Sequence, residues 1–289
     1  MSEQQSPRVV VLGDVIDDVV VRPEGATAPD SDTDAAIERS AGGSGANAAV
    51  WLAAEGLAVD FVGTVGFDDL SRHGTLLGGA GVTPRLIGSS EPTGSIVVLI
   101  DGTRRNMYTS RGANRGTGPA SIADEVLAAA GHLHFSGYSV FSESADEQQW
   151  NDLIDRAHSY FVTVSVDPGS VSYLERYGTA RFLRAVAGAD ILLPNLDEGL
   201  ALSRARDPHA AVETLLGLFP VVALTRGAEG AVIGHAGGGL VEVGAADLDG
   251  GIVDTTGAGD AFTAGFLAGW LDAPHAPETI RRAALRGVA

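Results

Sequence analysis

Asp254-Thr255-Thr256-Gly257-Ala258-Gly259-Asp260 runs straight into an apolar stretch, Thr263 to Leu271, that has the length and pattern of a helix. Glycines on either side of Ala258 let backbone N–H groups turn toward one point, and a helix start adds partial positive charge there. Such a cradle holds an anion without a lysine. A carboxylate in the first turn, Asp260, faces the same point, where phosphoryl transfer needs a group to orient an attacking hydroxyl and take its proton. The spacing alone equally fits a glycine-rich turn with an ordinary helix-start aspartate.

A second small-residue cluster, Ala41-Gly42-Gly43-Ser44-Gly45-Ala46-Asn47, also opens a helix. Its Gly43 to Ala48 segment satisfies a loose dinucleotide pattern, but Ile37 to Ser40 does not read as the strand that pattern requires, which disfavours a nicotinamide-dependent dehydrogenase. Arg8 to Gly13 is a β-branched run ending in glycine, read as a buried strand that delivers Asp14 to its end, where ligands gather. Arg105, beside the turn Asp101-Gly102, could clamp a phosphate or sugar carboxylate, or be a solvated turn charge. Arg111 and Arg115 could reach an acceptor pocket but receive no role. His132 and His134 alternate on an apolar strand and read as packing groups rather than a metal pair.

The elements that position these residues follow from periodicity. Strands are expected at 59–65, 132–135, 161–166, 191–193 and 221–225, with helices at 46–55, 68–77, 121–130, 145–159, 180–187, 208–218, 258–271 and 277–286. That alternation predicts one α/β domain over 1–289 with a doubly wound, mostly parallel sheet. Hairpin signals at 92–109 and 231–243 interrupt it, and the Pro-, Gly- and Asp-rich stretch 22–34 reads as a mobile loop or edge. Segments about 15–37 and 92–111 are the candidates for a small β-sheet lid.

Composition narrows the chemistry. The chain has 19 basic and 37 acidic residues, a net charge of −18, and every basic residue is arginine. Lysine Schiff bases and the P-loop lysine are therefore absent, and a nucleic-acid or anionic-membrane partner is disfavoured. There is no cysteine, which removes disulfides, thiolate nucleophiles and cysteine-bound metals. Met1 to Pro7 lacks the apolar core of a secretory signal and no run of about 18 apolar residues occurs, so a cytoplasmic location without membrane contact is expected.

The segment DTTGAGDAF resembles the C-terminal signature of the ribokinase, or PfkB-type, carbohydrate kinases. The resemblance implies a ribokinase-like fold, ATP and Mg2+ as cofactors, and a small sugar as the other partner. It assigns the anion hole to Gly257, Ala258 and Gly259 and the base to Asp260. Asp254 and Thr256 match positions that hold a monovalent cation such as K+. The Gly42-Gly43 cluster is similar to the family's sugar-binding signature, with Asn47 bonding sugar hydroxyls, and Ser44 stands where ribokinases proper have lysine. Asp18 falls where the family has an aspartate anchoring two hydroxyls, with Asp14 as the competing candidate. Pro194-Asn195-Leu196-Asp197-Glu198 resembles the element that organises magnesium through water, which suits Glu198 and Asn195. Thr225, Gly227 and Gly230 fall in a segment similar to the nucleotide-binding turn; alone, these two segments would be a helix cap and a hairpin turn.

Asp167-Pro168-Gly169-Ser170 departs from the pattern of sugar-acid kinases and leaves the acceptor open. Members of the ribokinase family normally continue past the position of residue 289 through a helix and loop that close over the adenine, so the C-terminal end reads as short, and many of them form a homodimer through the lid sheet. A nucleoside kinase, or a non-catalytic sugar sensor on the same scaffold, is the rival reading. The retained Asp260 argues against a sensor.

Overall fold

A computed structural model describes residues 7–26, 30–101, 104–142, 145–246, 257–272 and 279–287. The strands are β1 (Val9–Leu12), β2 (Ile16–Pro23), β3 (Ala35–Gly42), β4 (Val59–Gly66), β5 (Val82–Ser89), β6 (Gly94–Asp101), β7 (Arg104–Ser110), β8 (His132–Ser136), β9 (Thr163–Asp167), β10 (Ile191–Leu192), β11 (Val221–Thr225), β12 (Ala231–His235) and β13 (Leu240–Val243).

Among the described residues, nine strands form one sheet in the order β13-β12-β11-β10-β9-β8-β1-β4-β5. It is parallel from β5 to β11, with the β12–β13 hairpin antiparallel at one edge. β1 explains the two layers. All four of its residues are inaccessible; Val10 and Leu12 pack into the core on one face with Trp150 and Phe135, Val9 and Val11 into the other with Phe61 and Phe266. A strand buried on both sides reads as a continuous apolar run because helices cover both faces of a parallel sheet. This is the α/β class with a smaller second sheet expected from the sequence.

The second sheet has the order β3-β2-β6-β7. The segment 22–34 begins inside β2, and Ile37 to Ser40, not expected to be a strand, lies in β3 antiparallel to β2. β3 was illegible because it is rich in small residues, lacks apolar alternation and is exposed along most of its length, so pairing with β2 holds it. The strand before Gly42 does exist, yet it lies outside the parallel sheet, and no βαβ dinucleotide unit arises. β5 and the helices Val171–Tyr177 and Leu196–Ser203 were also missed. The helix expected at 121–130 shrinks to Asp124–Ala128 after a 3-10 turn at Pro119–Ser121.

Two loops are tied closely to β1. A Cβ on Gly45 would lie 2.5 Å from the Gly13 Cα, so the start of the Ser44–Ala54 helix presses on the backbone at the strand's exit. Asn114 clamps the other side, accepting from the Val15 amide at 3.0 Å and donating to the Val15 carbonyl at 2.7 Å.

Candidate active site

Parallel strands deliver their carboxyl ends to one edge of the sheet, and order reverses beside β1, from which β4 and β5 lie one way and β8 to β11 the other. Ligands bind outside the carboxyl ends at such a switch point. Asp14 follows β1, Tyr138 follows β8, Asp167 ends β9, Asn195 follows β10 and Thr225 ends β11. A cleft of about 210 Å³ opens there, lined by Tyr138, Asp167, Asn195, Glu198, Thr225 and the start of the Ala258–Leu271 helix, with Ser44 across it.

Asp260 sits in the first turn of that helix. Gly257 takes φ 80° at its N-cap, a left-handed conformation that glycine adopts without penalty, and accepts from the Ala261 amide at 2.9 Å. The amides before Ala261 have no acceptor within the helix and point out of its end toward the cleft. A Cβ on Gly259 would meet nothing within 4 Å, so the cradle is open to a bulky anion.

The carboxylate of Asp260 draws the two glycine-rich segments together. Its Oδ1 accepts from the Ser44 hydroxyl at 2.9 Å and its Oδ2 from the Asn47 side-chain amide at 3.3 Å, contacts spanning 216 and 213 residues. Burial, with the Asp167 charge next, pushes its pKa up to about 7, against the pull of the Ser44 and Asn47 bonds. It is thus poised near neutrality, where a general base works best.

Two further carboxyls share the wall. Asp167 accepts from the Gly169 amide at 2.7 Å, and burial followed by the Glu198 charge lifts its pKa to about 8. Glu198 is 2% exposed and locked in a reciprocal cap: it accepts from the Asn195 amide at 2.9 Å and side chain at 2.8 Å, while its own amide donates back at 3.0 Å. Burial raises it to about 7. The helix-cap reading of this segment is therefore realised, and the same residues still border the cleft. Oxygen-only donors, carboxylate and amide, suit a hard cation such as Mg2+ that keeps its waters.

The remaining candidates are placed as follows. Asp14 is buried; its side chain accepts from the Gly45 amide at 3.1 Å, and its carbonyl from the Ala46 amide at 3.1 Å. Asp18 lies on β2 against Gly42, whose Cβ would come within 2.2 Å of the carboxylate, and burial raises its pKa, with Asp14 and Asp17 adding. Gly43, φ 103°, packs on the Asp14 carbonyl. Asp14, Asp18, Gly42, Gly43 and Asn47 thus gather at the junction of the two sheets. Thr225 borders the cleft, while Gly227 and Gly230 shape the β11–β12 turn outside its lining. Arg105 pairs with Ile100 in the β6–β7 ladder, and its side chain lies outside the described part. Asp254 and Thr256 lie outside the described residues.

Residues 6–289 match the family described as pfkB family carbohydrate kinase. The chain belongs to that family. Over 277 residues it is 33% identical to an ATP-dependent ribose-1-phosphate kinase of Halopiger xanaduensis, covering 91% of this chain and 85% of the relative. The fold is that of adenosine kinase from Sinorhizobium meliloti, with TM-score 0.82 and 24% identity over 98% of this chain and 92% of that one. Ribokinase from Thermotoga maritima superimposes with TM-score 0.79 and 23% identity, covering 98% and 92%. As a pfkB-family member the protein is a phosphotransferase, an ATP-dependent kinase of the sugar and nucleoside class. Among the described residues no helix is long and apolar enough to cross a membrane.

Sequence reasoning missed three residues that line the candidate cleft. Ser44 was noted only as a departure from lysine, whereas its hydroxyl holds Asp260. Asp167 was weighed only for acceptor type, although an acid at the carboxyl end of a parallel strand is itself a signal. Tyr138 carried no signal before β8 and its exit were placed.

Proposed function

We propose that the cleft phosphorylates a hydroxyl of a small sugar, with Asp260 as the general base. The observation that carries this reading is Asp260 itself: a partly buried carboxylate at an open helix start, oriented by Ser44 and Asn47 and held near pH 7. Its proton affinity is high enough to take a hydroxyl proton and low enough for it to be ionised at neutrality. A non-catalytic binder has no use for such a group.

Asp14, Asp18, Gly42, Gly43 and Asn47 hold the acceptor, the carboxylates receiving sugar hydroxyls as donors. ATP supplies the phosphoryl group. The acceptor oxygen forms a bond to the terminal phosphorus, the bond to the leaving ADP oxygen breaks, and the proton passes to Asp260. Ala258 and Gly259 amides, set by Gly257, face the charge that develops on the transferred group. Asn195, Glu198, Thr225 and Gly227 take the nucleotide side, where Glu198 would hold Mg2+ through water. Asp254 and Thr256 are proposed as the monovalent-cation position.

The Halopiger relative is named for ribose 1-phosphate, so that sugar is the first acceptor to try. The test is ATP-dependent phosphorylation of ribose, ribose 1-phosphate, fructose, fructose 6-phosphate, ketodeoxygluconate and nucleosides, with and without potassium. Phosphorylated product from at least one sugar is expected. Tight sugar binding with no product from any of them would sink the catalytic reading in favour of a sensor.

A further inference from the structure

Many arginines elsewhere in this chain face carboxylates, among them Arg8 and Arg85 on Asp60, Arg72 on Asp17 and Asp69, Arg184 on Glu147 and Arg286 on Glu55, while others such as Arg39 and Arg204 stand on the surface away from the cleft. In a protein of net charge −18 such partners are plentiful. Three arginines beside the cleft have none among the described residues: Arg111, Arg115 and Arg176.

Their positions are built, not incidental. Arg111 leaves the end of β7 and opens the turn Gly112–Gly116, which Asn114 fastens to Val15 at the exit of β1. Its partly buried guanidinium donates to the carbonyl of Tyr138, a cleft-lining residue. The Tyr138 ring meets Tyr173 edge-on at 5.5 Å, and the Arg176 guanidinium lies over the Tyr173 ring at 4.6 Å. Arg115 ends the same turn, its carbonyl accepting from the Ser142 hydroxyl at 2.6 Å. Asp14, Arg115 and Arg176 are all near enough for their charges to act on Arg111. Among the described residues no carboxylate pairs with any of the three guanidinium groups, so their charge is available to a dianion such as a phosphomonoester, about −1.5 to −2 at neutral pH. Guanidinium forks match phosphate oxygens in pairs, and no lysine exists to do this work.

Sheet order decides whose phosphate this is. Arg111 and Arg115 stand by β1 and β8 and Arg176 on the helix that follows β9, while Thr225 ends β11, three strands beyond β8 and two beyond β9. At about 4.8 Å per strand that is roughly 10–14 Å, so the cluster serves the acceptor end rather than the nucleotide end.

We propose that Arg111, Arg115 and Arg176 form a phosphate-binding corner of the acceptor site, so that the acceptor already carries a phosphomonoester. The corner rests on the assignment of the cleft made above and narrows its substrate class. A sugar-acid carboxylate shares the anion chemistry, but it brings one negative charge and two oxygens where a phosphomonoester brings about two charges and three oxygens.

Equilibrium binding without ATP tests the corner apart from turnover. Titration calorimetry would compare ribose 1-phosphate, fructose 6-phosphate, ketodeoxygluconate and ribose on the wild type and on Arg115→Ala, Arg176→Ala and Arg111→Gln. The wild type should bind the better sugar phosphate at least about tenfold more tightly than ribose or ketodeoxygluconate, and each variant should cut that preference about threefold or more. Arg115 and Arg176 are exposed, so their variants carry the test even where Arg111→Gln fails to fold. Equal binding of ribose and both phosphates, a preference for ketodeoxygluconate, or equal weakening of ribose and sugar phosphate in the variants would overturn the corner. Failure of every sugar to yield product with ATP would instead overturn the kinase reading, leaving the binding preference to stand or fall alone.

Discussion

Two aspartates, Asp60 in the scaffold and the partly buried Asp260 in the cleft, show how this protein separates scaffold from site. Asp60, on β4, is 1% exposed and is met by two guanidinium groups, Arg8 at 2.5 Å and Arg85 at 2.7 Å. Asp260 is met only by neutral donors, the Ser44 hydroxyl and the Asn47 amide, and has a third carboxylate, Asp167, as a neighbour. A buried charge with full counter-charge is fixed in one state; one without it stays titratable. The cleft gathers the second kind, with Asp167 at about 8 and Glu198 and Asp260 at about 7. The lesson is that unmet charge, rather than buried charge, marks the chemistry.

The largest expected effect breaks the comparison on the Asp260 side. Asp260→Asn should lower the phosphoryl-transfer rate by about 10²–10⁴-fold with ATP affinity retained; turnover within a few-fold of wild type would remove Asp260 as base. The same variant should be more stable at alkaline pH. A carboxyl raised from 3.8 to about 7 contributes stability that is fully present below about pH 4 and is lost as pH rises through 7. The neutral asparagine escapes that loss, so its melting temperature should exceed the wild type's at pH 8 and not at pH 4.

On the other side, Asp60→Asn should cost about 1–3 kcal/mol of folding stability, because two arginines lose their counter-charge, yet leave kcat within about twofold. The cost stays moderate because Arg8 and Arg85 are 38% and 46% exposed and can turn to water. Thermal melting and transfer assays on one preparation would read both. A kinetic collapse in a variant that is still folded would mean that Asp60 belongs to the site.

The smallest effect sharpens the contrast. Ser44→Ala removes a bond that favours the ionised form of Asp260, so its pKa should move further up. At pH 7 the rate should fall several-fold and largely recover by pH 9. An equal loss at both pH values would assign Ser44 to substrate binding instead.

Much of this was legible along the chain, for reasons that differ by residue. Gly257 to Asp260 could be read because a helix start and its first-turn carboxylate are adjacent in sequence. The β1 strand could be read because burial on both faces leaves it wholly apolar. Ser44 and Asn47 as partners of Asp260 could not, since more than 200 residues separate the groups and only the fold joins them. β3 was hidden because its pairing, not its composition, makes it a strand. The arginine corner was in view as Arg111 and Arg115, but Arg176 reaches it from a helix the periodicity did not reveal.

The central claim is that Asp260 acts as a base with its proton affinity set near neutrality by incomplete counter-charge. The most direct measurement is the pH dependence of kcat/KM for the wild type with its best acceptor, from pH 5 to 9. The account predicts an acid limb with a midpoint at about 7, rising toward alkaline pH. A profile that is flat down to pH 5 would contradict it.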